Sequence, residues 1–159
     1  MKNVFYFNTP IDRIGISEEN GYIVEVFSAE EGTISCGAVE SNNSTIMKCY
    51  EELMEYFDGN RKTFSVPVRP EGTEFQKRVW KELIRIPYGE TRSYKDIAMA
   101  IGNEKACRAV GGANNKNPIL ILIPCHRVIG KKGDLTGFGA GINMKEFLLN
   151  LEDENASHF

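Results

Sequence analysis

Apolar and polar positions change their period several times along the 159-residue chain. Val4-Phe5-Tyr6-Phe7 and Tyr22-Ile23-Val24-Glu25-Val26-Phe27 are aromatic and β-branched, with Ile11 to Ile16 between them. Asn8-Thr9-Pro10 and Glu19-Asn20-Gly21 punctuate these runs, so a small antiparallel sheet is expected. From Ser44 the period lengthens: Ile46, Tyr50, Leu53, Met54 and Phe57 share one face of a helix over 44–57, stopped by Asp58-Gly59-Asn60. Phe64 to Glu71, holding Pro67 and Pro70, reads as a linker.

Helical periods dominate after the linker. Thr73 and Gln76 form a capping-box pattern ahead of a helix in which Phe75, Val79, Trp80, Leu83 and Ile84 share a face, closed by Pro87-Tyr88-Gly89. Ser93 with Asp96 repeats the pattern, followed by Ile97, Ala98 and Ile101, and Gly102 ends that short helix. Asn103 or Glu104 then starts a third helix through Cys107, Ala109 and Val110. Two short helices around a Gly-containing turn give the helix-turn-helix outline, although many helical hairpins bind nothing. The expected fold class is α+β: a small N-terminal antiparallel sheet plus helix over residues 1–70, then a mostly helical, winged helix-turn-helix-like C-terminal domain over 71–159.

The third helix is unusually small-sided, with Ala106, Cys107, Ala109, Gly111, Gly112 and Ala113 around Arg108. Two adjacent glycines cost about 1 kcal/mol each relative to Ala in a helix interior, so close approach of another body should compensate. That body is either a neighbouring helix or a nucleic-acid groove. Charge bears on the choice. The net charge of −3 divides into −5 over residues 1–70, +5 over 71–151 and three acids at the C-terminus, an asymmetry expected if one half meets phosphates.

The chemistry concentrates at Asn117-Pro118-Ile119-Leu120-Ile121-Leu122-Ile123-Pro124-Cys125-His126-Arg127-Val128. Pro124 has no N–H and biases Ile123 away from helical geometry, so the chain should leave its apolar packing there and present Cys125 at a defined point. A cysteine after an apolar run is by itself most often an inert core residue. The adjacent His126 changes that balance, because an imidazole can take a thiol proton directly or through one water.

Several blocks in register extend the pattern. Arg108-Ala109-Val110-Gly111-Gly112-Ala113, Asn117-Pro118, Pro124-Cys125-His126-Arg127-Val128 and Lys145-Glu146-Phe147-Leu148-Leu149 resemble the methylated-DNA–protein-cysteine methyltransferases in sequence and spacing. The resemblance is strong from about Thr73 to Glu152 and loose before it. It implies repair of O6-alkylguanine, and of O4-alkylthymine as an extension, by irreversible single-turnover transfer of the alkyl group to Cys125 after nucleotide flipping. His126 would take the thiol proton, Glu152 would fix the imidazole, Tyr94 would protonate the leaving base and Asn117 would order the backbone around the cysteine. Arg108 would fill the space of the extruded nucleotide in the minor groove, with Ala109, Gly111, Gly112 and Ala113 against DNA. Val128, Phe138, Gly139 and Lys145 would line the base pocket. Phe138 stands where the family commonly has Tyr and Gly139 where some members have Ser, so stacking would survive without a hydroxyl contact and the loop would be permissive. Relatives that bind alkylated DNA without transfer lack the cysteine, so its presence here argues against that alternative. A Cys-His hydrolase is a third reading, for which no oxyanion-hole motif is visible.

The remaining composition narrows the partners. Cys36, Cys49, Cys107 and Cys125 are widely spaced and the chain has only His126 and His158, so no metal site is expected. No cofactor is expected either. No stretch approaches the ~18 apolar residues of a membrane span, and the first residues lack a signal-peptide layout. A cytoplasmic, DNA-associated monomer is the resulting expectation.

Overall fold

The protein is described from a computed structural model covering residues 2–29, 37–130 and 142–156. It divides into two compact units, Met1–Glu71 and Gly72–Phe159.

In the first unit, β1 (Asn3–Asn8), β2 (Arg13–Glu19) and β3 (Tyr22–Ser28) form an antiparallel meander, and the short β4 (Val39–Glu40) adds to β1 in parallel. The sheet is therefore mixed rather than purely antiparallel. Ile14 and Ile16 on β2 are buried, and Gly15 lies under the Phe27 ring, where a Cβ would meet Cζ at 2.3 Å. Helix α1 (Ser44–Phe57) starts at Asn43, whose side chain accepts from Ile46 N–H. Its buried face runs through Ile46, Cys49, Leu53, Tyr56 and Phe57, rotated from the expected one. Tyr50 instead stacks on Phe7 at the margin, with ring centroids 4.0 Å apart.

The supposed linker over Phe64 to Glu71 is part of this unit. Ile23 N–H donates to Pro67 O and Arg69 N–H to Ile23 O, both at 2.9 Å, so the segment extends the sheet at Val68. Glu52 holds the neighbouring turn by accepting from the Ser65 hydroxyl and the Ser65 and Val66 N–H groups. Prolines mark the segment's stiffness, and its partner strand lies too far away in sequence to be read locally.

In the second unit, α2 (Glu74–Ile84) and α3 (Tyr94–Ala100) both begin with the complete capping boxes expected at Thr73/Gln76 and Ser93/Asp96. On α2, Val79, Trp80 and Leu83 are buried, but Ile84 is half exposed, so the apolar stripe is narrower than its composition suggests. Gly102 turns the chain at φ +81°, and α4 (Cys107–Asn115) starts at Ala106, later than Asn103 or Glu104, because Ala106 N–H is drawn into a turn on Asn103 O. Trp80 pins this helix: its Nε1 donates to Ala113 O at 2.9 Å. A two-residue parallel pair joins β5 (Arg92–Ser93) to β6 (Val128–Ile129), and α5 (Ile142–Asn155) follows. This α+β arrangement, with a helix-turn-helix in its second half, is the expected class. No helix among the described residues is long and apolar enough to cross a membrane.

Candidate active site

Two tight turns deliver Cys125. Leu122 N–H donates to Leu120 O at 2.8 Å around Ile121, whose φ of +70° is a left-handed value that a β-branched residue rarely adopts. Cys125 N–H then donates to Ile123 O at 2.8 Å across Pro124, which sits at φ −81° and ψ 65°, an inverse γ-turn. Apolar packing holds the strained first turn, since Ile119, Ile121 and Ile123 are all buried. Cys125, His126 and Arg127 form one 3-10 turn between this loop and β6.

Side chains fasten the loop from outside. Asn117 Nδ2 donates to Ile123 O at 2.7 Å while its Oδ1 accepts from Ile119 N–H at 3.0 Å, so one amide spans the turn. Asn114 Nδ2 donates to Cys125 O at 3.3 Å. Cys125 is 1% exposed. Burial pushes its thiol up to about 11, with the Asn117 side chain and the Lys145 cation opposing that rise. His126 and Glu152 therefore do not hold the free thiol partly ionised: at neutral pH Cys125 is protonated.

His126 is fully buried, and burial lowers its pKa while Glu152 pulls the other way, so it is neutral near pH 7. Burial alone would raise the Glu152 carboxyl, but hydrogen bonds from His126 and Arg127, with the Arg127 charge, hold it well below the usual carboxylate range. An ionised carboxylate can only accept, so the 2.6 Å contact between His126 Nε2 and Glu152 Oε2 requires the proton on Nε2. The lone pair is then on Nδ1, which is buried with no hydrogen-bond partner among the described groups. Arg127 completes the network. Its Nε donates to Glu152 Oε1 at 2.8 Å, Nη2 to Oε2 at 3.0 Å and Nη1 to Ile86 O at 2.7 Å, and Gly89 N–H adds a bond to Oε1 at 3.2 Å.

Helix α5 brings the remaining partners. Lys145 and Glu152, seven residues apart, lie on its inner face with Leu148. Lys145 is fully buried, not solvated, and donates to Val128 O at 2.5 Å. Cys125, His126, Asn117, Glu152, Lys145 and Val128 are thus brought together. Tyr94 opens α3 half-buried, and its ring lies 3.9 Å from where a Cβ on Gly111 would stand. Arg108, Ala109 and Gly112 are exposed on α4, whereas Ala113 is buried beneath Trp80. Phe138 and Gly139 lie outside the described residues.

Arg127 and Asn114 are the polar side chains that sequence reasoning missed. The signal for Arg127 is its place one residue after a histidine in a segment too apolar to bury a cation unpaired. Among the described residues no three His, Cys, Asp or Glu side chains are grouped so as to hold a metal.

A thiol, a neutral imidazole base and a buried carboxylate beside an exposed small-sided helix define a nucleophile carried by a helix-turn-helix unit. The comparisons identify the class. The 6-O-methylguanine DNA methyltransferase DNA binding domain matches residues 74–154, and the ribonuclease-like domain of the same proteins matches residues 4–70. The chain belongs to the methylated-DNA–protein-cysteine methyltransferase family. It is 46% identical over 150 residues to the constitutive enzyme of Bacillus subtilis, covering 91% of each chain, and 55% identical over 114 residues to a Methanosarcina barkeri enzyme, covering 72% of each. The crystal structure of Mycobacterium tuberculosis O6-methylguanine methyltransferase superposes with a TM-score of 0.91 at 40% identity, covering 100% of this chain and 97% of that one. A structure of the M. tuberculosis protein in complex with DNA gives 0.89, covering 96% and 94%.

Proposed function

We propose that this chain repairs DNA by direct reversal, taking the alkyl group of an O6-alkylguanine onto Cys125 once and irreversibly. The observation that carries the reading is a neutral His126 with its Nδ1 lone pair unpaired, next in the chain to the buried, protonated Cys125, in a family whose relatives are named for this transfer. Cys125 loses its proton to His126 Nδ1, directly or through one water, as sulfur attacks the alkyl carbon. The carbon–oxygen bond breaks and its electrons pass to the guanine, which takes a proton from the Tyr94 hydroxyl. Glu152 stabilises the imidazolium that forms, and Arg127 holds that carboxylate ionised and in place. The thioether has no good leaving group, so Cys125 is not regenerated, and no cofactor enters the balance.

A base inside a duplex cannot reach a thiol that is 1% exposed, so the nucleotide must leave the stack. Exposed Arg108 is the residue we assign to the space it vacates, with Ala109, Gly111 and Gly112 against the minor groove. The open side of Gly112, where a Cβ would meet nothing within 4 Å, supports this assignment over internal helix packing. Val128, with its carbonyl fixed by Lys145, supports a role in the base pocket. We further infer that the N-terminal unit supports the second, and that the protein acts as a cytoplasmic monomer.

Arg108→Ala tests the DNA half of this reading. Transfer from duplex DNA should slow far more than reaction with free O6-benzylguanine, because only the duplex requires flipping. Equal losses on both substrates would make Arg108 a support of the fold or pocket instead.

A further inference from the structure

The buried amide of Asn114 has no part in the mechanism above. It lies one residue from the end of α4 and is 1% exposed: Nδ2 donates to Cys125 O, while Oδ1 is buried without a partner among the described groups. The reverse assignment of its amide would set two oxygens against each other, so the donor must face Cys125.

The bond reaches a particular peptide. Cys125 N–H is already tied to Ile123 O, and Cys125 O also accepts from Val128 N–H. Both backbone polar groups of the nucleophile are therefore held, which limits the directions its Sγ can take. Two of these ties are local to the loop. The Asn114 bond alone comes from α4, the helix whose outer side carries Arg108, Ala109 and Gly112.

Stability gives little reason for this residue. An apolar side chain of similar size would lose one long hydrogen bond and also remove an unpaired buried oxygen, a group that is costly to leave unsatisfied. Its use must lie in what the bond aligns. We propose that Asn114 is a positioning residue, the strut through which α4 sets the angle of the Cys125 thiol, so that a base extruded at α4 meets sulfur in line. The proposal rests on the alkyl-transfer reading.

The test compares wild type with Asn114→Leu and Asn114→Ala in single-turnover transfer from duplex DNA carrying O6-methylguanine, well below the melting temperature. At saturating DNA the rate constant should fall roughly ten- to a hundredfold, the range expected for a misplaced reacting atom. The Kd for the same DNA should stay within about twofold, since the bond involves no exposed group. The Leu variant should melt no lower than wild type. If it fails to fold, the Ala variant carries the comparison. An unchanged saturated rate in a folded variant would overturn the proposal, as would a loss appearing in Kd rather than in the rate constant. Wild-type protein that transfers nothing would overturn the alkyl-transfer reading, and this role with it.

Discussion

At the scale of single residues, the site holds its nucleophile in reserve. Cys125 is buried with its thiol at about 11, whereas Cys107 is half-buried and Cys49 is buried with its thiol pushed higher still. Free protein treated with iodoacetamide near neutral pH should be labelled at Cys107 before Cys125 or Cys49, as read by peptide mass spectrometry. Fast labelling of Cys125 would mean a standing thiolate and contradict transfer coupled to proton loss. The base and its carboxylate have separable roles. His126→Ala should slow transfer by ~10²–10⁴-fold. Glu152→Gln leaves the Arg127 guanidinium buried without its counter-charge, and urea denaturation should show a loss of about 3–5 kcal/mol. A Glu152→Gln variant as stable as wild type would remove Glu152 from the role of structural anchor.

Both buried groups also make the fold sensitive to acid. In the unfolded chain a histidine takes a proton near pH 6.5, but buried His126 has a lowered pKa, so below that pH the unfolded state binds more protons and stability falls. Glu152, also lowered, adds a loss of the same sign below its ordinary value of 4.5. Melting temperature should therefore drop as pH falls from 7 to 5. His126→Gln, which keeps a donor for Glu152 but cannot titrate, should flatten that slope. Parallel curves for the two proteins would refute the assignment.

At the scale of elements, α4 carries a glycine where a helix would ordinarily favour alanine. Gly112 is exposed at a helical position with open space around it, so Gly112→Ala should stabilise the free protein by up to about 1 kcal/mol. The same methyl group should weaken binding to duplex DNA in a titration. Stabilisation without weaker binding would show that this surface does not meet DNA. Elements also differ in how far they could be read from sequence. The capping boxes at Thr73 and Ser93 depend on residues three apart and formed as expected. The 64–71 segment, paired to Ile23, and the Glu152 anchor, 25 residues beyond Arg127, depend on distant partners, and only a family resemblance pointed to Glu152. The left-handed Ile121 runs against its own local preference, so nothing nearby in sequence could signal that turn.

At the scale of the molecule, the division of charge matches the division of labour. Met1–Glu71, built on a sheet and one helix, carries a formal charge of −6, and Gly72–Phe159, the unit with both α4 and Cys125, carries +3. A basic unit attracts any duplex, so affinity should fall with salt by about 0.9 log units per log unit for each phosphate contact, which reports binding without chemistry. The central claim concerns chemistry, and intact-mass spectrometry tests it most directly. With duplex DNA carrying O6-methylguanine in excess, each chain should gain one methyl group and no more, located at Cys125, and Cys125→Ser should gain none. Continued conversion of lesions beyond one per chain, or methyl groups on Cys49 or Cys107 in place of Cys125, would contradict the account.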